Sequence, residues 1–374
     1  VSDRPRFPAP LPLVLSVVGL VSTTLFVTVW LRVVRGAGLP QWAEAAGAVA
    51  LAVGFLATGA AFVGRFLRWP VPGVVTTAGW TSLGLVFLAF AAVVVTEPLR
   101  WLFPGDPLVA RGLLVGVPLL GLFGAATARH PRVVHVDVPV RGLDPALDGF
   151  TVAQLSDVHV GHTSRAFVQW VVEVVNAQDV DLVAITGDLV EGTVDEVGDD
   201  AAPLGGLRSR HGTYFVTGNH EYFAGVERWL AALRALGMRV LRNEAVTITH
   251  RGASFALLGV DDVFGRLAPG HGFDLASALA GAAPGLPRVL LSHQPVTVDA
   301  AADAGVEVQL SGHTHGGQLF PFHFLVRLQQ PYLAGLVDHR GTQLYVHAGT
   351  GHWGPPLRVG ARGEIAILHL RAPP

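Results

Sequence analysis

Four apolar stretches in the first 130 residues, near 11–31, 43–64, 73–96 and 108–127, constrain this chain more than any other feature. Each is close to the ~20 residues that cross a bilayer as an α-helix. No Asp, Glu, Lys or Arg falls inside the first three, and the fourth holds only Arg111. The connections, 32–40, 65–72 and 97–107, carry Gly, Pro and Arg. Trp30, Trp42, Trp69, Trp80 and Trp101 mostly sit near the ends of the runs, as interfacial aromatics do. Helices of a soluble domain would each show a polar face, and these do not. The first run is long for a cleaved signal peptide despite Arg4 and Arg6, and three more follow. Residues 1–130 therefore read as an all-α transmembrane bundle of four helices, a multi-pass anchor in the cell membrane. A fragment starting near residue 131 is expected to be soluble.

The remaining sequence has a different composition. Residues 1–130 hold 9 Arg and 4 acids, net +5, whereas 131–374 hold 17 Arg and 24 acids, net −7. The first of the 16 His is His130, so every imidazole that can bind a metal lies at or beyond that point. A net-acidic second part argues against nucleic acid as the main partner. There is no Cys, which excludes thiolate ligands, disulfides and Cys nucleophiles. All basic residues are Arg, which excludes a Schiff-base or P-loop lysine. With an even number of spans both ends share a side, carrying Arg4, Arg6, Arg65, Arg68, Arg129 and Arg132. The other side carries Arg32, Arg35, Arg100 and Arg111 together with Glu44, Glu97 and Asp106. The positive-inside rule then puts 131–374 in the cytoplasm, and loss of one span would reverse that.

From 131 onward the periodicity is that of an α/β domain. Strands are expected at 133–140, 150–160, 181–186, 214–217, 288–291, 306–310, 343–347 and 364–370, with a hairpin at 245–260 turning at Arg251-Gly252. Helices are expected at 164–179, capped by Ser164, and at 226–236, stopped by Gly237. The segment 198–206 reads as a flexible loop. Alternating strands and helices imply a layered domain with its site at one strand edge.

Five short motifs fall where apolar runs give way to Gly, Ser or a polar residue: Asp157-Val158-His159, Gly187-Asp188, Gly218-Asn219-His220-Glu221, Ser292-His293 and Gly312-His313-Thr314-His315. Asp, His and Asn are oxygen and nitrogen donors suited to Mn, Fe or Zn. Asp157 and His159 are two apart, so in an extended segment both face one metal. The Asp188 carboxylate has two oxygens and can bridge two ions. Asn219, His293, His313 and His315 supply the remaining donors. Two ions about 3.5–4 Å apart lower the pKa of a bridging water, which then attacks phosphorus in line. His220, next to Asn219, is the candidate proton donor.

These blocks, in this order, resemble the calcineurin-like metallophosphoesterase family and its membrane-attached bacterial branch of YkuE and YaeI types. Leu155-Ser156-Asp157, Gly218 to Glu221, Ser292-His293-Gln294-Pro295 and Gly312 through Gln318 carry the resemblance, which covers 131–374. It implies an α/β/β/α sandwich. It implies that Asp157, His159, Asp188 and His315 hold one divalent metal ion and Asp188, Asn219, His293 and His313 the other, with His220 catalytic. It says nothing of the four spans.

Taken singly, each of these residues has a structural explanation, since Asp caps helices and Gly-Asp and Gly-Asn form turns. His162, His323, His347 and His352 fit no ligand position and read as pocket or surface residues. Arg358 is open between a phosphate and an acid such as Glu364, and the apolar segment 320–328 between a substrate lip and core. The leading function is hydrolysis of a phosphodiester or pyrophosphate bond, with a lipid-linked phosphoester as substrate. The alternatives are a hydrolase of soluble nucleotide phosphodiesters and, in another class, a non-catalytic metal-binding sensor or scaffold. A transporter ranks last, because the spans lack intramembrane charges.

Overall fold

The computed structural model describes residues 11–67, 69 and 71–373. Arg4, Arg6 and Arg68, used above for orientation, lie outside them. Four long helices come first: α1 (Leu11–Val29), α2 (Gln41–Leu67), α3 (Gly73–Leu102) and α4 (Leu108–Arg129). All four are long and apolar enough to cross a membrane. Leu20, Leu56, Val74, Leu122 and Phe123 point outward from the bundle, an arrangement that water penalises and lipid accepts. Between helices the contacts are apolar, as where Phe26 meets Phe55 edge-on at 5.4 Å. One polar link is the Thr58 hydroxyl, which donates to the Gly79 carbonyl of α3 at 3.0 Å.

The first and third spans run further than the apolar pattern predicts, through Arg32 and Arg35 and through Glu97 and Arg100. The reason is local pairing. Arg32 meets Glu97 at 2.9 Å, the Arg100 guanidinium donates to the Arg32 carbonyl, and Arg111 Nε donates to the Ala37 carbonyl at 2.9 Å. Side chains thus satisfy carbonyls that a helix end leaves open.

The rest of the chain builds two six-stranded sheets. The first takes β1 (Arg132–Pro139), β2 (Thr151–Leu155), β3 (Leu182–Ile185), β4 (Thr213–Phe215) and β5 (Arg239–Val240). Along it run α5 (Arg165–Asn176), α6 (Val194–Ala201), the short α7 (Asn219–Ala224) and α8 (Val226–Ala235). The second sheet takes β6 (Glu244–His250), β7 (Ala253–Gly259), β8 (Arg288–Leu291), β9 (Val308–Ser311), β10 (Gly335–His339) and β11 (Thr342–Val346), with α9 (Leu275–Ala280), α10 (Val298–Asp303) and α11 (His323–Val326) between strands. β12 (Glu364–Arg371) returns to the first sheet. The orders are β1-β12-β2-β3-β4-β5 and β10-β11-β9-β8-β7-β6, each with a parallel centre.

β12 shows why the sheets stack. Ala366, Leu368 and Leu370 enter the core between the sheets, while Ile365 and Ile367 enter the outer core under α5 and α8. That is the period-two alternation of a strand buried on both faces. A third core lies under α9 and α10. The architecture is the expected α/β/β/α sandwich following four helices. Two local expectations change. The segment 198–206 is not a loop but the end of α6 and a 3₁₀ turn, Ala202–Gly206, with Pro203 and Leu204 buried. And β2 stops at Leu155, so Asp157 and His159 are not on an extended strand.

Leu319 and Leu357 of the β-rich part are buried in the same apolar cluster as Phe26, Val86 and Val117 of the helices. The full chain is expected to stay with membranes through salt and alkaline washes, scored by immunoblot of pellet and supernatant; release by salt alone would contradict four spans. A fragment starting near 131 uncovers Leu319 and Leu357. Contrary to the expectation from sequence, it should sediment or self-associate unless detergent is present.

Candidate metal centre

The centre is assembled from loops at the C-terminal ends of the parallel strands of both sheets, where α/β domains place ligands. Asp157 and His159 follow β2, Asp188 follows β3, Asn219 follows β4, His293 follows β8, and His313 and His315 follow β9. The loops turn sharply. Asp157, His159, Asp188, His313 and His315 have φ of 54°, 52°, 50°, 72° and 51°, half of the ten positive-φ non-glycine residues described. Such backbone costs of order 1–3 kcal/mol per residue and persists only where surroundings impose it. The strain here coincides with the donor positions. It is also why Asp157 and His159 can converge without a strand: each sits on its own left-handed turn.

The donor atoms fall into groups. Asp157, His159 and His315 bring one ligand atom each within 4.8 Å of one another, and so do Asp188, His293 and His313. His159 Nε2 and His315 Nε2 are 3.0 Å apart, and His315 Nε2 is 3.3 Å from Asp157 Oδ1. His293 Nε2 lies 3.1 Å from Asp188 Oδ2 and 3.3 Å from His313 Nδ1. The structure thus brings the sequence-predicted ligands except Asn219 into two clusters, while His220 falls with His159 and Glu191 in a third group of donors and its backbone meets Asp188. The His220 backbone N–H donates to Asp188 Oδ1 at 2.9 Å, and its Nε2 is 3.8 Å from Asp188 Oδ2. Gly218 is required for this approach, because a Cβ there would sit 2.2 Å from Asp188 Oδ1. Gly312 does the same beside Asp157, 2.4 Å from Oδ2.

A model of the calcineurin-like phosphoesterases matches residues 150–317. A bovine transmembrane protein with a metallophosphoesterase domain is 40% identical over 281 residues, covering 72% of this chain and 63% of that protein. An uncharacterized metallophosphoesterase of Helicobacter pylori strain J99 is 42% identical over 244 residues, or 64% of each chain. An uncharacterized metallophosphoesterase of Aquifex aeolicus is 33% identical over 257 residues, with 68% of this chain and 97% of the relative covered. The chain belongs to the calcineurin-like phosphoesterase family. Its match spans a little under two-thirds of the length of the bovine and Helicobacter relatives.

A pair of divalent metal ions, the cofactor of this family, fits the residues present. Asn219 Oδ1 is buried and has no hydrogen-bond partner among the described residues, as expected of an oxygen reserved for an ion. His159 Nε2 and His315 Nε2 lie 3.0 Å apart, close enough for a single ion to take both. Ring orientation is set from behind. His293 Nδ1 donates to the Thr186 carbonyl at 2.7 Å, which fixes Nε2 as the atom on the Asp188 side. Partners of this kind hold metal-binding histidines in one tautomer.

The electrostatics of the centre point the same way. Burial alone would push Asp188 up, but the charges of His293, His220 and His159 and a hydrogen bond from His293 hold it well below the carboxylate range. Burial works against a charged His293, yet Asp188 overrides it and raises that ring. Burial, then repulsion from His293, pushes His313 down to about 3. Burial also lowers His315, reinforced by His159 and Arg358. Two of the four imidazoles are therefore held neutral, the form a ligand needs.

Two acids were given no role from the sequence, Glu191 unnamed and Glu221 named only as the end of its block. Glu191 Oε1 lies 2.6 Å from His159 Nδ1 and 2.6 Å from His220 Nδ1, so one carboxylate orients both rings. Its signal was its place three residues after Asp188 in the same loop. Glu221 accepts backbone N–H groups of Gly218 at 2.6 Å, Leu189 at 2.8 Å and Asp188 at 3.1 Å, tying the loops after β3 and β4 together. Burial and the Asp188 charge push it up to about 7. Of the other histidines, His162 and His352 stack 6.3 Å apart beside the centre, His323 starts α11, and His347 is fully buried. His347 is thus not a surface residue; its Nδ1 accepts the Gly349 N–H at 2.9 Å. Arg358 makes no ion pair with Glu364 among the described residues. It is fully buried and donates to the carbonyls of His315, Ala348, Gly349 and Gly351, with Nη2 also 3.1 Å from His315 Nδ1.

Elemental analysis of the purified chain should find two divalent ions per protein. Asp188→Asn should lower the occupancy of both, because the shared charge is lost. One ion or none in fully loaded wild type would contradict the centre.

Proposed function

We propose that this chain is a membrane-anchored phosphohydrolase that cleaves a phosphodiester or pyrophosphate bond of a lipid-linked substrate. Asp157, His159, Asp188 and His315 would hold one ion, and Asp188, Asn219, His293 and His313 the other, with Asp188 shared. Bound there, two divalent ions supply Lewis acidity toward phosphoryl oxygens and water. The protein positions the ions and moves a proton. His220 is the observation that carries the reading. Its Nδ1 is engaged by Glu191 at 2.6 Å, so Nε2 is the atom directed to the Asp188 side. A carboxylate behind the ring stabilises the imidazolium and lets Nε2 donate to a leaving oxygen, the role general acids fill in ester cleavage. Phe223 and Trp353, with ring centroids 5.6 and 6.3 Å from His220, border that position and limit water.

The lipid-linked reading is supported by the helices themselves. Trp80 of α3 lies edge-on to His162 at 6.1 Å, and His162 stacks on His352 beside the centre. A membrane helix therefore contributes to the surroundings of the site. We place the catalytic part in the cytoplasm, following the arginines at the end of α4 and the start of β1; a fluorescent-protein fusion at the C-terminus, which fluoresces only there, checks it.

His220→Ala should keep both ions and lose roughly 10²–10⁴-fold in kcat on a poor leaving group, the usual size of general acid catalysis. The loss should shrink on p-nitrophenyl esters, whose leaving group needs little protonation. Loss of metal from a folded His220→Ala protein would make His220 a ligand. Retention of metal with full activity on a poor leaving group would move the donor to His162 or His352.

A further inference from the structure

The helices carry a depth scale. Arg32, Glu97, Arg100 and Arg111 cluster at one end of the bundle through the pairing described above, which marks one face of the apolar layer. Twenty residues at about 1.5 Å each span the ~30 Å hydrocarbon core. Counting from Glu97 back along α3 reaches Thr77, and counting from Arg111 forward runs the rest of α4 and reaches Pro131, two residues past its end. The opposite face is then level with both, where the β-rich part begins.

Parts of the catalytic domain lie inside that layer. Gly84 of α3 and Gly124 of α4 are each seven residues from the inner face, about 10 Å deep. Both touch Leu357: a Cβ on Gly84 would be 2.8 Å from its Cδ1, and one on Gly124 3.5 Å from its Cβ. The two helices thus give the same depth independently. The Arg358 N–H donates to the Gly124 carbonyl at 2.9 Å, while its guanidinium folds back onto loop carbonyls, so no bare charge meets lipid. Phe87, ten residues in and so about 15 Å deep, packs edge-on against Phe322 at 6.2 Å. From there the segment 320–328 turns outward with Phe320, Phe324, Leu325 and Leu328 exposed, Leu328 by 84%. Water would penalise such a patch, and it is continuous with the outward apolar faces of the helices. Arg327 and Gln329, also exposed, are long side chains whose polar ends extend toward the headgroup level. Gln318 ties it to the site, since its Nε2 donates to the carbonyls of Trp353 and Pro355 and its Oε1 accepts the Trp353 N–H.

We infer that the segment 319–328 is inserted in the bilayer beside α3, so that the mouth of the centre at Trp353 and His220 opens at the membrane and receives a phosphoester whose apolar tail stays in lipid. This names the route by which the substrate class proposed above arrives, and it rests on that reading for the substrate though not for the insertion.

The chain has no Cys, so single labels are clean. Leu328→Cys and Phe324→Cys, carrying an environment-sensitive fluorophore, would be placed in the full chain in phosphatidylcholine–phosphatidylglycerol nanodiscs. Ala177→Cys, at the exposed end of α5 away from the centre, is the aqueous reference. The expected result is blue-shifted emission at 324 and 328, quenched by doxyl-labelled lipid and protected from iodide, with the reverse at 177. Iodide quenching at 324 and 328 overturns insertion. Protection from both quenchers means that protein, such as a second copy, covers the segment, and also overturns it. In a second arm, Phe324→Asp with Leu328→Asp should lower kcat/KM on CDP-diacylglycerol in vesicles at least tenfold more than on bis-p-nitrophenyl phosphate. Equal losses on both would make the segment structural. If wild type hydrolyses neither compound, the proposed function fails while the quenching result still decides insertion.

Discussion

Buried negative charge is the constraint around which the two-sheet part is organised. Asp157, Asp188, Glu191, Glu221 and Asp262 are all buried within the same set of strand-end loops. Among the described residues the buried guanidinium is Arg358, and its hydrogen bonds go to backbone carbonyls and His315 rather than to these acids. Uncompensated carboxylates in such surroundings either take up protons or attract cations. Burial pushes Asp262 to about 6, and burial with the Asp188 charge takes Glu221 to about 7, whereas Asp188 stays low because imidazoles surround it. The loops therefore hold an excess of negative charge that divalent ions would offset.

The helical part does more than hold this domain at a surface. Its α3 and α4 receive Leu319, Leu357 and Val359, and the Arg358 backbone bonds to α4 while its side chain fastens the loop of His315. One residue thus spans from a membrane helix to a candidate metal ligand. The packing is apolar and the link polar, so the two parts share a core at their junction rather than meeting at a hinge.

Much of this was legible in the sequence because two kinds of signal are local. Twenty-residue apolar runs mark spans without reference to anything else, and residues such as Asp188, Asn219 and His313 sit in short blocks whose order is itself informative. The elements hardest to read were those set by distant contacts. The strand β10 has half-buried residues and pairs only with β11 at a sheet edge, so no alternation announced it. The end of α6 was hidden by Gly198, Gly205 and Gly206, yet burial of Leu204 against the α5 layer overrides their flexibility. The roles of Glu191 and Arg358 were hidden for a different reason. Their partners are two or more loops away, and a lone acid or Arg carries no period or spacing. The junction of the helices with the domain was illegible for the same reason, since Leu357 next to Arg358 looks like any short apolar patch.

The left-handed backbone at Asp157, His159, Asp188, His313 and His315 affects how mutants of this centre should be read. Alanine is disfavoured at such φ, whereas Asn and Asp are tolerated there. An alanine scan would therefore mix two effects, the missing donor atom and a loop released from its turn. The second would be mistaken for ligand strength. Asparagine at the two aspartates changes the charge while leaving the turn intact, so isosteric replacement separates chemistry from conformation in this molecule.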